Sequence, residues 1–158
     1  MKKLLKLLEK DAHISAGELA LMCEKEEGDI KKMIEDFEAR GVILGYTTII
    51  DWDKTDTEYV NALIELKVTP RVGSGYDEIA ERIYNYPEVE SVYLMSGGYD
   101  LTVMLRGKTM REVAIFVAAK LATIEAVTST ATHFVLRKYK DHNVIFGGAP
   151  VDERGNIL

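Results

Sequence analysis

The sequence predicts an α+β chain in two dissimilar parts, a small helical domain followed by a sheet domain. Three observations carry this. Apolar residues in the first forty positions recur at helical spacing, those from Tyr59 onward alternate at strand spacing, and Trp52 to Glu58 between them is polar and without period. The expected boundaries are 1–51 for the helical domain, 52–58 for a linker, 59–140 for the sheet domain and 141–158 for a C-terminal extension.

In the first part, Leu4, Leu5, Leu7 and Leu8 predict an opening helix. Ser15 and Glu18 form the S-x-x-E pattern of a capping box, and Leu19, Ala20 and Met22 give the helix behind it an apolar side. Ile30, Met33, Ile34 and Phe37 stand at i, i+3, i+4, i+7 on a third helix. Gly41, after Arg40, supplies its stop, and Gly28 in its first turn weakens it by about 1 kcal/mol relative to alanine. Val42 to Ile50 reads as strand, with Gly45 at a turn. The whole is a winged helix-turn-helix, a fold that places the second helix of its pair in a DNA major groove.

In the second part, Val60, Ala62, Ile64, Leu66 and Val68 face one way along a half-buried strand, which Pro70, Gly73 and Gly75 break. Ile79, Ala80, Ile83 and Tyr84 mark a helix that cannot pass Pro87. Val89 to Met95 forms a strand, Ser96-Gly97-Gly98 a hairpin turn, and Leu101, Val103 and Leu105 the return. Thr109 and Glu112 make a second capping box ahead of Val113, Phe116, Val117 and Leu121, and Val127 to Tyr139 closes as one long strand. The order β-α-β-β-α-β is ferredoxin-like, and its two helix–strand halves, ending in PEVESVYLMSG and IEAVTSTATHF, repeat weakly. With both helices on one face, the other is left for a second copy, so a homodimer is expected. Gly147, Gly148, Pro150 and Gly155 read as a flexible extension that docks through Val144, Ile145 and Phe146.

Composition bounds the function. A hydrophobic fraction of 47% suffices for a core but is too mixed with charge for a membrane span, and nothing resembles a leader, so a cytoplasmic protein is expected. Cys23 is the only cysteine, which excludes an internal disulfide and reads as a small buried hydrophobe. His13, His133 and His142 lack metal-ligand spacing and no phosphate loop occurs, so no catalytic site, metal or cofactor is expected. Trp52 reads as a packing anchor between the domains.

Lys and Arg number 20 against 26 Asp and Glu, a net charge of −6, and residues 1–50 carry 8 basic and 10 acidic side chains. Phosphate binding needs cations, and the candidates are Lys2, Lys3, Lys25, Lys31 and Lys32, with Arg40. Glu24, Glu26, Glu27 and Asp29 stand among them, although a glutamate can accept from cytosine N4.

Four segments in order, D-A-H-I-S-A-G-E-L-A, F-E-A-R-G-V-I-L-G-Y-T, S-G-G-Y-D and T-S-T-A-T-H-F-V-L-R-K-Y-K, cover residues 1–140. Together they resemble the leucine-responsive/asparagine-regulator (Lrp/AsnC) family of transcription regulators. The resemblance implies double-stranded DNA as one partner, an amino acid or related metabolite as effector, and a homodimer that assembles into higher homo-oligomers. It also implies an effector pocket at Gly97, Gly98, Tyr99 and Asp100, with Thr130 and Thr132. Glycine amides approach a carboxylate closely, and Asp100 suits an ammonium group. The same residues also suit a plain hairpin turn and strand. The chain departs from the family in its abrupt Met1-Lys2-Lys3 start and in K-E-E-G-D-I-K-K where relatives are rich in hydroxyls and arginine. Two alternatives stay open: a metabolite-sensing or oligomerisation module without sequence-specific DNA binding, and an enzyme like the sirohaem decarboxylases, which share this two-domain architecture.

Overall fold

The leucine run near the N-terminus folds as α1 (Lys2–Lys10) because its leucines share one face, and Leu4 is fully buried. The computed structural model describes residues 1–70 and 75–147, and the chain divides into two compact units, Met1–Ile49 and Ile50–Leu158. In the first unit α2 (Ala16–Cys23) and α3 (Glu27–Ala39) follow α1. Leu4, Leu19, Ala20, Ile30 and Phe37 form its core, with Cys23 half-buried among the residues packed on it. The capping box at α2 is complete. The Ser15 hydroxyl accepts from Glu18 N at 3.2 Å, and Glu18 Oε2 accepts from Ser15 N at 3.0 Å. The Ser15 hydroxyl and amide hold the Glu18 carboxyl below the usual carboxylate range.

The expected wing strands are not formed by the described residues, since Val42 to Ile50 pairs with no strand. Its β-branched and aromatic residues suit a pleated ladder, but that preference is expressed only against a partner, and the unit supplies none. The turn falls at Gly41 (φ +65°), where Val42 N and Ile43 N both donate to Phe37 O, at 2.8 and 3.1 Å; Gly45 makes no turn. Tyr46 Oη donates to Glu38 Oε1 at 2.8 Å, and that bond raises the tyrosine pKa.

In the second unit a short 3-10 turn (Trp52–Lys54) leads to β1 (Val60–Val68), α4 (Tyr76–Tyr84), β2 (Val89–Leu94) and β3 (Leu101–Gly107). Helix α5 (Met110–Phe116) then continues as a π turn (Val117–Leu121) into β4 (Val127–Phe134). The antiparallel sheet has the order β2-β3-β1-β4. Ala62, Ile64, Leu66 and Val68 pack with Leu101, Val103 and Leu105 under Ile79 and Ile83 of α4 and Val113 and Phe116 of α5. Both helices therefore cover one face. Gly73, expected to break β1, and Gly148, Pro150 and Gly155, expected in the extension, lie outside the described residues.

Three local expectations are corrected. At α5 the Thr109 hydroxyl accepts from Glu112 N at 3.1 Å, but Glu112 Oε2 accepts from Lys108 N at 2.7 Å, one residue earlier than a capping box requires. The last strand stops at Phe134, not Tyr139, because β4 has by then reached the start of β1: Phe134 pairs with Ala62, and Val135 N donates to Asn61 O at 2.9 Å. The chain beyond is a hairpin of β5 (Lys140–Asp141) and β6 (Val144–Ile145), turned by His142 (φ +44°) and Asn143 (φ +66°), where the sequence predicts no strand pair. Lys138 Nζ reaches Asp141 Oδ2 at 2.9 Å and holds that carboxyl below its usual range.

Glu18 adds to stability above the ordinary carboxylate pKa, and its contribution is lost as pH falls through the lowered value in the folded chain. Ser15→Ala, which removes the hydroxyl and keeps the amide, is therefore expected to move Glu18 up toward its ordinary range in an NMR titration and to lower the unfolding midpoint more at neutral than at acid pH. At Gly107 a Cβ would stand 2.9 Å from Val113 Cγ2, inside the packed contact of α5 on β3. Gly107→Ala should destabilise the chain by roughly 1–3 kcal/mol in urea unfolding; an unchanged midpoint would show that Val113 yields freely.

Candidate functional site

In the first unit the capped helix pair leaves one side of α3 bare. Ile30 and Phe37 are buried and Met33 and Ile34 half-buried, while Glu27, Gly28, Asp29, Lys31, Lys32, Glu35 and Asp36 are exposed. Carboxylates neutralise part of the expected basic patch: Lys31 Nζ lies 2.5 Å from Glu27 Oε1, and Arg40 Nη1 lies 2.7 Å from Asp36 Oδ2. Both pairs are exposed and span one helical turn, so each contributes only about 0.3–0.5 kcal/mol. Their larger effect is on charge. Lys25, in the turn before α3, and Lys32 make no ion pair among the described residues and are the cations left to meet a phosphate. Lys2 and Lys3 sit apart, exposed on the first turn of α1, and no described contact joins them to α3.

In the second unit Gly97 and Gly98 form the exposed tip of the β2–β3 hairpin, and a Cβ at either would meet nothing within 4 Å. Their backbone is thus open to a ligand. Tyr99 and Asp100 behind them are half-buried. Asp100 is tied into the fold three times. Its amide donates to Leu66 O at 2.9 Å, its carbonyl accepts from Met95 N at 2.8 Å, and its Oδ2 accepts from Val68 N at 2.8 Å. One carboxylate oxygen is therefore committed to β1, while the negative charge is kept.

Thr130 and Thr132 pair with Leu66 and Ile64 across β1 and β4, and directly opposed residues share a face. Both threonines thus point to the helix side of an edge strand. Asp100 and Thr130 flank the same end of β1 from opposite sides, two strand spacings or about 10 Å apart. Thr132 lies further along β4.

The sequence reading missed what lies at the other end of β3. A groove of about 700 Å³ opens there between α5 and the strand ends, lined by Leu105, Arg106, Lys108, Phe116 and Lys120 among others. Arg106 pairs with Glu90 at 2.5 Å and stacks over Tyr59, 5.1 Å from the ring centre, and over Trp52, at 6.0 Å. Trp52 meets Tyr59 edge-on at 5.0 Å, so the contacts recorded for it lie within the sheet unit. The only advance signal for this knot was the isolated tryptophan itself.

The sheet face away from the helices carries Asn61, Leu63, Glu65, Thr102, Met104, Arg106 and His133. His133 Nε2 lies 3.0 Å from Glu65 Oε2 on it. Asn61 Oδ1 and Arg106 Nε, opposed across β1 and β3, are buried and have no hydrogen-bond partner. Among the described residues no group of histidine, cysteine and carboxylate side chains is arranged to hold a metal ion, and no helix is long and apolar enough to cross a membrane.

Residues 61–145 match the Lrp/AsnC ligand binding domain. The chain is 45% identical over 153 residues to the uncharacterised HTH-type transcriptional regulator YugG of Bacillus subtilis, covering 96% of this chain and 92% of that one. It is 31% identical over 140 residues to the HTH-type transcriptional regulator FL11 of Pyrococcus horikoshii, covering 89% of each. Its fold is also that of the transcriptional regulator NMB0573 of Neisseria meningitidis, solved as an L-Met complex, with a TM-score of 0.71 at 18% identity over 96% of this chain and 95% of that one. AsnC of E. coli matches with a TM-score of 0.65 at 20% identity, over 85% and 89%. A helix-turn-helix unit followed by this ligand-binding sheet unit, shared along nearly the whole length of such relatives, places the chain in the Lrp/AsnC family of transcription regulators.

Proposed function

We propose that this chain regulates transcription by binding double-stranded DNA through α3 and by sensing an amino acid, or a metabolite of like chemistry, at the hairpin end of its sheet. The observation that carries the reading is the capped α2–α3 pair, which buries one side of α3 and presents the other, with Lys25 and Lys32 unpaired, to solvent. Lys31 stands beside them on the same exposed side, and Lys2 and Lys3 add contacts along the phosphates.

At the effector site the open amides of Gly97 and Gly98 suit a carboxylate, and the charge of Asp100 suits an ammonium group. Tyr99 closes the near side, and Thr130 and Thr132 offer hydroxyls from across β1. The chain works as a homodimer through the sheet face turned away from the helices, which carries Leu63, Glu65, Met104 and His133. Dimers assemble further, and effector binding favours one assembly over another, which is what couples the two units. The protein acts in the cytoplasm as a regulator and not as an enzyme. A sensor without DNA binding is the second reading, favoured by the Glu27–Lys31 and Asp36–Arg40 pairs, which take two of the four cations (Lys25, Lys31, Lys32 and Arg40) on and beside α3.

A DNA titration on the protein's own upstream region, at two salt concentrations and with pooled amino acids, separates these readings. The expected result is saturable, salt-sensitive binding that the pool shifts; no binding at low salt from a folded oligomer selects the sensor. For the pocket, Asp100→Asn keeps an oxygen for Val68 N and removes the charge. It should weaken amino-acid binding in calorimetry about tenfold or more while leaving the unfolding midpoint nearly unchanged. Asp100→Ala should also destabilise the fold, by about 1–3 kcal/mol, because Val68 N is left unpaired. Equal affinity in wild type and Asp100→Asn would remove Asp100 from the site.

A further inference from the structure

We infer that the tip of α3 reads a C·G base pair, with the Glu27–Lys31 ion pair as the reading group and Gly28 as its clearance. The inference rests on the proposed binding of DNA by α3. In helix-turn-helix docking the first residues of the second helix meet base edges. Here those residues are Glu27, Gly28 and Asp29, with Lys31 and Lys32 on the next turn, all exposed.

Glu27 is bounded on two sides. On one side its Oε1 lies 2.5 Å from Lys31 Nζ; on the other, Gly17 in the first turn of α2 leaves room beside its Oε2, where a Cβ would stand 3.6 Å away. The amide end of α2 favours negative charge there. A hydrogen-bond acceptor and a donor are thus presented side by side. The major-groove edge of a C·G pair offers the complement: cytosine N4 donates, guanine O6 and N7 accept, and N4 and O6 are themselves joined by a hydrogen bond of about 2.9 Å. Glu27 accepts from N4 while Lys31 donates to O6 and N7. An A·T pair also sets a donor, adenine N6, beside an acceptor, thymine O4, but it brings adenine N7 against the carboxylate and gives the ammonium a methyl where guanine offers N7.

Gly28 supplies the independent observation. A Cβ there would meet nothing within 4 Å, and its φ lies outside the left-handed region, so neither packing nor conformation within the chain calls for glycine. Glycine nonetheless weakens a helix relative to alanine. It sits on the exposed side, next to Glu27 and within a turn of Lys31 and Lys32. A bare backbone at that point lets the helix approach the groove floor closely enough for the ion pair to reach both bases.

The test is selection of bound sequences from a random double-stranded library with the full-length chain at low salt, followed by titrations with variants. Each recovered half-site should hold one fixed C·G pair whose replacement by A·T weakens binding roughly tenfold. Glu27→Gln should erase that preference while tightening binding to random DNA and steepening its salt dependence by about one unit of slope, because Lys31 is released. Gly28→Ala should raise the thermal midpoint by a few degrees and yet weaken binding to the selected site. Three results would overturn the inference while leaving DNA binding in place: recovered sites without the C·G pair, Glu27→Gln tightening every sequence equally, or Gly28→Ala strengthening both fold and binding. Recovery of no sequence at all from the folded chain overturns the DNA-binding reading itself.

Discussion

The pairing of β1 on both its edges is the constraint from which the sheet unit is built. β3 and β4 hydrogen-bond to it along almost its whole length, and four of its alternate side chains, Ala62, Ile64, Leu66 and Val68, lie under α4 and α5. A slip of one residue in either pairing would turn those four toward the opposite face, so the register is strongly fixed. The position of every candidate effector group follows from it. Asp100 is brought to the end of β1 by bonds to Leu66 and Val68, and Thr130 is carried to the same end by its pairing with Leu66. The open glycine tip is therefore mounted on the most rigidly specified strand of the unit, as a binding loop on a fixed support.

Much of this was legible in the sequence because it is local. Ser15 and Glu18 specify their cap within four residues, and the alternation along β1 matches the buried positions from Ala62 to Val68, with Val60 half-buried at the strand's start. What escaped depends on partners distant in sequence. Val42 to Ile50 has strand chemistry but meets no strand in its unit, and residues 135–139 lose their ladder because β1 has ended. The β5–β6 hairpin was passed over because its turn is His142-Asn143, where the left-handed conformation is usually signalled by glycine.

The candidate sites show the same division. That Gly97, Gly98 and Asp100 share a hairpin is plain from their adjacency. That Asp100 spends one carboxylate oxygen on β1, and that Thr130 and Thr132 look toward the helix side, are facts of register that spacing does not encode. On α3 the acidic residues were visible from the first, but their effect was not. Glu27 and Asp36 stand one turn before Lys31 and Arg40, and a count of charges does not reveal which cations are already taken.

That internal neutralisation has a bearing on how such a regulator finds and keeps its site. Non-operator DNA captures proteins through cations that displace its counterions, and a chain of net charge −6 with few free cations on its reading helix is captured little. On the proposed reading of α3, such a chain spends its time in solution rather than sliding along the genome, and one head alone lets go readily even of the correct sequence. Lasting residence then comes from several heads tethered together, each rebinding at the high local concentration that its neighbours maintain. For a chain with this surface, the number of heads joined at one time becomes the quantity that a metabolite has to govern.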